Sequence, residues 1–443
     1  MTGEDFRSRP NGARASQLGT LHAEANVEAD VVVVGAGPGG AATAAFLARA
    51  GLAVALLEKA EFPRDKVCGD GLTPRAVRML NRLGVDTSPE AGWTRHQGLR
   101  VYGGRVKPFE LPWPELADFP NYGLTCPRNA FDDLIAGQAV RHGAKLYTSA
   151  KVTEPIMDDR RGRIVGVRTK EGLEFRAPVV VAADGNSGRL ASQLGIQRNE
   201  RRPMGVAVRA YYESPLHDMG WMESYLQMWD GKPGESDLLP GYGWVFPMGD
   251  GTVNIGLGML STSDAFGKTD YKAMMRRWLD ATPEEFGFRE ENRVSEMRSA
   301  ALPMAFNRKP AYKDGLLLVG DAGGMVSPFN GEGIAYAMEA AEYAADAIVD
   351  ARNRGFDSPG AERALQGYVG RLADELGGYY RLGTIFATLI GNPKIMQLCT
   401  TYGLPRKRLM ALVMKLLANL TDSRDGDWMD KLINSLVRIA PAA

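Results

Sequence analysis

The chain is 443 residues long, 44% hydrophobic and 24% charged, with 53 basic against 53 acidic side chains and a formal net charge of zero. That is enough apolar material for a sizeable core, and the charge balance excludes nucleic acid as the main partner. Three scattered cysteines (Cys68, Cys126, Cys399) and four histidines exclude a disulfide framework and supply no zinc-type ligand cluster, so no metal is expected and a reducing, cytoplasmic compartment fits best.

Residues 1–28 are polar and mixed in charge, lack the apolar stretch of a signal peptide, and are expected to form a disordered extension. The run ADVVVVGAGPGGAATAAFLARAGLAVALLEK (29–59) then changes period twice. Four consecutive valines read as a strand buried on both faces; a glycine turn follows, then an Ala-rich helix to about Arg49, a stop at Gly51 and a second strand. A helix is expected from about Thr73-Pro74, with Pro at an early position, and another over 128–143, closed by Gly143. Short alternating strands fill 145–181 and end in APVVVAADG. Four strand-like runs between 205 and 260 predict an inserted antiparallel sheet. The segment 315–349 returns to buried strand, glycine loop and long helix, and from about Ala361 the chain reads as helical. The expected architecture is α/β: a Rossmann-like nucleotide-binding domain in two parts (29–200 and 301–355), an antiparallel-sheet substrate domain (201–300) and a helical C-terminal region (356–443). No segment has the unbroken apolar length of a membrane span.

Gly35, Gly37 and Gly40 form G-x-G-x-x-G between strand and helix, with Ala36, Pro38 and Gly39 completing the turn. The first glycine permits the tight turn, the second admits a pyrophosphate, the third lets helix pack on strand, and the helix start offers free N–H groups to phosphate. Glu58 closes the next strand 23 residues after Gly35, where a carboxylate accepts from ribose hydroxyls; Lys59 follows it. A dinucleotide is the expected ligand.

VGDAGGMVSPFNGEGIAYAMEAA (319–341) decides which one. It resembles the ribityl-binding segment of FAD-dependent enzymes of the p-hydroxybenzoate hydroxylase type. That resemblance puts Gly320 and Asp321 at the ribityl chain and Pro328, Gly331, Gly333 and Ile334 beside the flavin, with the following helix aimed at the ring. RNAFD (from Arg128) and AADG (to Gly185) match two more segments of that fold. They imply that Arg128 lies at the phosphates, Val152 at the adenine, and Asp184 and Gly185 in the cofactor's outer shell. FPRDKVCGDGLTPRAV, YGWVFPMGDGTVNIGLG and SPFNGEGIAYAMEAA resemble the geranylgeranyl reductase family over nearly the whole chain after residue 29, and GNPKIMQL with VMKLLANLTD resembles its actinobacterial menaquinone-reducing branch. The resemblance implies that the loop Cys68, Gly69, Asp70, Gly71 lies beside the flavin, with Cys68 facing both ring and substrate. Tyr242, Trp244 and Phe246 alternate along one strand and so share a face, and the family's Y-x-W-x-F-P segment borders an isoprenoid cavity.

The implied activity is FAD-dependent saturation of a carbon–carbon double bond in a polyprenyl chain such as that of menaquinone. An isolated trisubstituted alkene accepts hydride only when a proton arrives with it, so the site needs a proton donor and walls that exclude water. Cys68 is the first candidate for donor or gate, and Tyr242 the second. No second glycine fingerprint is present, so NAD(P)H or another external electron donor is expected to dock transiently. Cys126 and Cys399 read as packing residues. In PRKRLMALVMKLLANL (405–420), Leu409, Leu412, Val413, Leu416, Leu417 and Leu420 fall on one helix face beside Arg406, Lys407, Arg408 and Lys415, which reads as an interfacial helix on a membrane surface. Two alternatives share the FAD domain. One is a flavin monooxygenase or halogenase, although halogenases of this fold carry W-x-W-x-I-P where this chain has Y-x-W-x-F-P. The other is a non-catalytic polyprenyl-binding flavoprotein.

Overall fold

A computed structural model describes residues 19–22, 25–104, 106–229, 231–232, 234–236, 238–263 and 266–440. Its centre is a seven-stranded sheet in the order Thr20–Leu21, Lys145–Tyr147, Val54–Leu57, Val31–Val34, Val179–Ala182, Leu316–Leu318, Tyr312–Lys313. Every neighbouring pair is parallel except the last. The valine run explains why this strand is central. Val31 and Val33 enter the core on one face, Val32 and Val34 that on the other, and all four are buried. Each such valine contributes about 1.5–3 kcal/mol by leaving water.

Three helices cover one face: Pro38–Arg49, Arg128–Arg141 and Ile334–Asn353. The first and third are rich in alanine and pack directly on one another, as small side chains allow. A four-stranded sheet (Val152–Asp158, Arg163–Thr169, Glu174–Arg176, Val27–Glu28) backs the other face.

The expectation of disorder through residue 28 is corrected for part of that span. Thr20–Leu21 adds to the edge of the large sheet and Val27–Glu28 to the edge of the small one, because unpaired edge N–H and C=O groups accept another strand. Residues 1–18, 23 and 24 lie outside the described residues.

The second seven-stranded sheet runs Arg298–Pro303, Met204–Glu213, Thr252–Leu260, Gly241–Pro247, Met222–Tyr225, Gly98–Tyr102, Phe109–Pro112. All four strand-like runs of 205–260 contribute to it. Its last two strands come from inside the span the sequence assigned to the nucleotide-binding domain. Gly98–Tyr102 joins by a parallel pairing with Met222–Tyr225, and Val101, Phe109 and Leu111 bury against Met222. A strand drawn in from outside the inserted segment leaves no local signal.

The C-terminal region is helical, with helices Pro359–Leu372, Gly378–Ile390, Pro393–Leu398, Lys407–Leu417 and Trp428–Ile439. On the face of 405–420 expected to meet a membrane, Leu420 is fully buried, Val413, Leu416 and Leu417 are half-buried against protein, Leu412 is half-buried, and Leu409 is exposed. The helix also buries Met410 and Met414, and Lys415 is drawn in by Asp430 at 2.6 Å and Asp427 at 3.3 Å. An exposed apolar row lies on the last helix, at Trp428, Leu432, Leu436 and Ile439, and Ile385, Leu389, Leu398 and Tyr402 are also exposed. Cys399, expected to pack, is exposed, whereas Cys126 is buried. Among the described residues no helix is long and apolar enough to cross a membrane.

Candidate functional site

The glycine turn is shaped from both sides. Gly35 has φ +100°, and a Cβ there would lie 2.3 Å from the Ala183 oxygen; a Cβ on Gly40 would lie 1.8 Å from the Gly35 oxygen. Gly37 differs, since the nearest atom to its missing Cβ is an Arg64 nitrogen at 3.8 Å. The first and third glycines thus close the turn on itself, and the second faces open space at the start of the helix, which has Pro38 in its first turn. Gly39 and Gly40 are buried behind it.

Glu58 is 4% exposed. It accepts from the Ala36 N–H at 3.1 Å and the Ala60 N–H at 3.2 Å, and pairs with Arg64 at 3.0 Å; Lys59 beside it is exposed. Arg64 reaches on to Asp132 at 2.7 Å, and Arg128 grips Asp132 through two bonds of 2.8 Å. Arg128 also lies against Cys68, whose thiol is pushed up by burial with the Arg128 charge opposing. A continuous polar chain therefore joins the glycine turn to the cysteine loop. Val152 opens its strand two residues after Ala150, whose N–H donates to the Glu58 backbone carbonyl at 2.9 Å.

On the other side of the turn, Asp184 accepts from the Arg189 N–H at 2.7 Å through one carboxylate oxygen, while its Oδ1 is sealed without a partner. Gly185 (φ +75°) faces Lys66, and Lys66 pairs with Asp321 at 3.0 Å. Gly320 and Asp321 form the tight turn after the Leu316–Leu318 strand, and a Cβ on Gly333 would come within 3.7 Å of Asp321 Oδ1. Gly331 has φ +74° and lies against Leu302, Pro328 packs against Gly383, and Ile334 opens the helix behind Gly333.

The cysteine loop lies on the aromatic strip of the second sheet. The rings of Tyr242, Trp244 and Phe246 follow one another at 6.0 and 6.2 Å. A Cβ on Gly71 would lie 2.8 Å from the Phe246 ring, too close without a shift, and one on Gly69 would lie 3.2 Å from Trp244 Nε1, a tight fit. Gly256 leaves room for the Trp244 indole, where a Cβ would come within 2.3 Å of it. Asp70 adopts φ +63° and is fully buried. Its Oδ2 accepts from Tyr211 and from Asn254 (2.7 Å), its Oδ1 has no partner, and its N–H points at Cys68 Sγ, 3.3 Å away. Burial pushes the Asp70 carboxyl up to about 6, against the donors Tyr211 and Asn254 and the Arg209 charge. The Tyr242 hydroxyl donates to the Asn330 carbonyl at 2.8 Å. Burial raises that phenol, with Glu332 and Cys68 adding to the effect.

Three comparisons bear on this arrangement. Residues 28–358 match the FAD binding domain family. The chain is 35% identical over 411 residues to the menaquinone reductase of Mycolicibacterium smegmatis, covering 92% of this chain and 95% of that one. It is 31% identical over 333 residues to digeranylgeranylglycerophospholipid reductase 1 of Methanosphaera stadtmanae, covering 73% and 76%. The chain belongs to the geranylgeranyl reductase family of FAD-dependent oxidoreductases. The fold of the family is seen again in a geranylgeranyl bacteriochlorophyll reductase-like protein from Thermoplasma acidophilum, with a TM-score of 0.73 at 22% identity over 93% of this chain and 99% of that one.

The residues present fit FAD. The open face at Gly37 admits a pyrophosphate that a Cβ would obstruct. The Asp184 oxygen without a partner and the convergence of Gly185, Lys66, Asp321 and Gly333 give a polar track leading away from it. Sequence reasoning missed several groups that hold this family site together: Arg64, Lys66, Tyr211, Asn254, Thr73 and Glu332. Asn254 carried a signal, being an amide in the otherwise apolar run TVNIGLGM. Tyr211 carried none, because its partner Asp70 lies 141 residues away, and the bond from Arg64 to Asp132 spans 68 residues.

Proposed function

We propose that the protein saturates a carbon–carbon double bond in a polyprenyl chain, with an isoprene unit of menaquinone as its substrate. The observation that carries this reading is the strip Tyr242–Trp244–Phe246 lying directly on the Cys68–Gly71 loop, at the end of a polar chain that starts at the dinucleotide turn. An apolar aromatic wall suits an extended isoprenoid, which offers no polar handle of its own along the tail. The printed activities of the two relatives, on menaquinone and on geranylgeranyl lipids, support the same class of substrate.

Bound FAD, once reduced, supplies the hydride equivalent; NAD(P)H or another external donor would replenish it. The protein's part is to orient the alkene, exclude water and hold a proton. Cys68 and the glycines beside it shape the wall where ring and substrate meet, and burial keeps the thiol neutral. Tyr242 fastens the 327–333 turn to the sheet through Asn330, and its hydroxyl proton is spent on that bond. A substrate dissolved in lipid calls for contact with a membrane surface. The row Trp428, Leu432, Leu436 and Ile439 is an apolar edge available for it, and the stretch 376–421 adds five basic residues besides the buried Lys415 and no acidic one. Mass spectrometry of the quinone pool with and without the protein tests the activity: a two-hydrogen gain is expected, and an unchanged pool would remove the reading.

A further inference from the structure

Saturation breaks one π bond and forms two C–H bonds. The electron pair and one hydrogen come as the hydride that reduced FAD supplies, leaving FAD oxidised; the second hydrogen arrives as a proton and must have a source. Both candidates legible in the sequence are poor acids here. The Tyr242 hydroxyl is committed to Asn330, and burial moves its phenol and the Cys68 thiol upward, away from easy proton loss.

Glu332 stands at the same place. It belongs to the turn that Tyr242 grips: its own N–H donates to Asn330 Oδ1 at 3.0 Å and its carbonyl accepts from the Ser327 N–H at 2.8 Å. It directly precedes Gly333, which caps the long helix Ile334–Asn353. Its Oε1 accepts from the Thr73 hydroxyl at 2.6 Å, while Oε2 is sealed from solvent with no partner. Thr73 is the N-cap of helix Pro74–Arg82, where a threonine hydroxyl ordinarily satisfies a helix N–H; here it makes no capping bond and is turned to Glu332 instead. A donor on Oε1 leaves Oε2 as the oxygen that carries the proton of a neutral carboxyl, and an O–H without a protein acceptor is free to give it away.

The surroundings favour the neutral form. The nearest cation, Arg75, spends its guanidinium on Glu339 (3.0 and 3.1 Å) and on the Asn419 carbonyl (2.8 Å), and Arg78 also pairs with Glu339 at 2.6 Å. Among the described residues no cation pairs with Glu332. The other titratable groups facing it are Tyr242, Tyr336, Tyr379 and Tyr380, all neutral, and Glu339, which is paired with Arg75 and Arg78. Thr73, the Arg75 charge, the Asn330 side chain and the positive end of the helix favour the anion; burial and Glu339 oppose them, and burial is the largest effect.

We propose that Glu332 is the catalytic acid of this site, giving the proton on Oε2 to the alkene carbon that does not receive hydride. This rests on the reductase reading above. The new C–H bond forms as O–H breaks, leaving a carboxylate whose next proton reaches it by way of the half-exposed Thr73 hydroxyl that donates to Oε1. Burial lifts this carboxyl to about 7, so the acid is present at neutral pH and lost above it.

The test uses the FAD-loaded full chain with menaquinone and chemically reduced flavin, and compares the wild type with Glu332→Gln, Glu332→Asp, Thr73→Val and Cys68→Ala. Two readouts are taken, turnover against pH and the infrared carboxylic-acid band of the resting protein. The wild type is expected to lose one carboxyl band as pH rises through about 7, a band missing in Glu332→Gln. That variant keeps its FAD and melting temperature but turns over about 100-fold more slowly or worse, with no limb near pH 7. Glu332→Asp recovers part of the rate, and Thr73→Val, lacking the donor that favours the anion, moves the limb to higher pH. A Glu332→Gln variant with the wild-type rate and pH profile, or loss of turnover in Cys68→Ala but not in Glu332→Gln, overturns the proposal. A wild-type holoprotein that saturates no polyprenyl chain takes the reductase reading and the donor role down together, and is told apart because it fails before any variant is made.

Discussion

The Trp244 indole N–H donates to Asn254 Oδ1 at 3.0 Å, and this bond fastens the aromatic strip to the loop it faces. The same amide donates from Nδ2 to the Cys68 carbonyl at 3.0 Å and to Asp70 at 2.7 Å. Asn254 is fully buried, so replacing it by leucine would strand the Trp244 N–H and the Cys68 carbonyl without water and leave Asp70 Oδ2 with Tyr211 alone. Asn254→Leu is expected to cost about 1–3 kcal/mol, read by chemical denaturation, and to lower FAD occupancy by loosening the loop. Unchanged stability and occupancy would mean that the loop is held by other contacts.

Asp70 gives a pH signature. Its folded value of about 6 lies above the ordinary 3.8, so the folded protein binds more protons than the unfolded chain between about pH 4 and 6. Stability therefore falls as pH rises through that window and levels off above it. Asp70→Asn removes the titration, so the wild type should lose up to about 3 kcal/mol relative to the variant between pH 4 and 6. Parallel pH curves for the two proteins would place the Asp70 carboxyl in a different environment.

The three fingerprint glycines should separate by experiment. Gly40→Ala drives a methyl into the Gly35 carbonyl and should give little folded protein. Gly37→Ala meets nothing within 3.8 Å and should fold with its normal melting temperature when free of cofactor, yet bind FAD at least about 10-fold more weakly because the methyl occupies the phosphate approach. Yellow, fully loaded Gly37→Ala protein would contradict the assignment of that face.

The last helix makes a separate expectation. Trp428 is 59% exposed and Ile439 80%, with Leu432 and Leu436 between them on one edge. Trp428→Ala with Leu432→Ser and Leu436→Ser should lower the melting temperature by only a few degrees, since these side chains are 41–59% exposed. Flotation with vesicles containing anionic lipid should drop several-fold, with the residual binding weakened by salt. Flotation equal to wild type would move membrane contact off this helix.

The local features were readable from the residues and the distant ones were not. The valine strand, the glycine turn and the aromatic alternation at 242, 244 and 246 each depend on neighbours within a few residues, and a periodic pattern records such neighbours. The strands at 98–112 join the second sheet through a partner more than a hundred residues away. The inward turn of Leu416 and Leu420 follows from packing that only the assembled core supplies, since an amphipathic face looks the same whether lipid or protein covers it. Glu332 was visible as a letter in NGEG, but its chemistry arises from Thr73, 259 positions earlier.

The most direct measurement is product analysis in heavy water. FAD-loaded protein, reduced anaerobically in D₂O, is given menaquinone, and the quinone is recovered for mass spectrometry. The account requires a saturated isoprene unit, formed without oxygen, in which one new hydrogen is a solvent-derived deuteron. A hydroxylated or halogenated product that appears only when air is admitted, or quinone recovered unchanged from fully reduced holoprotein, would contradict it.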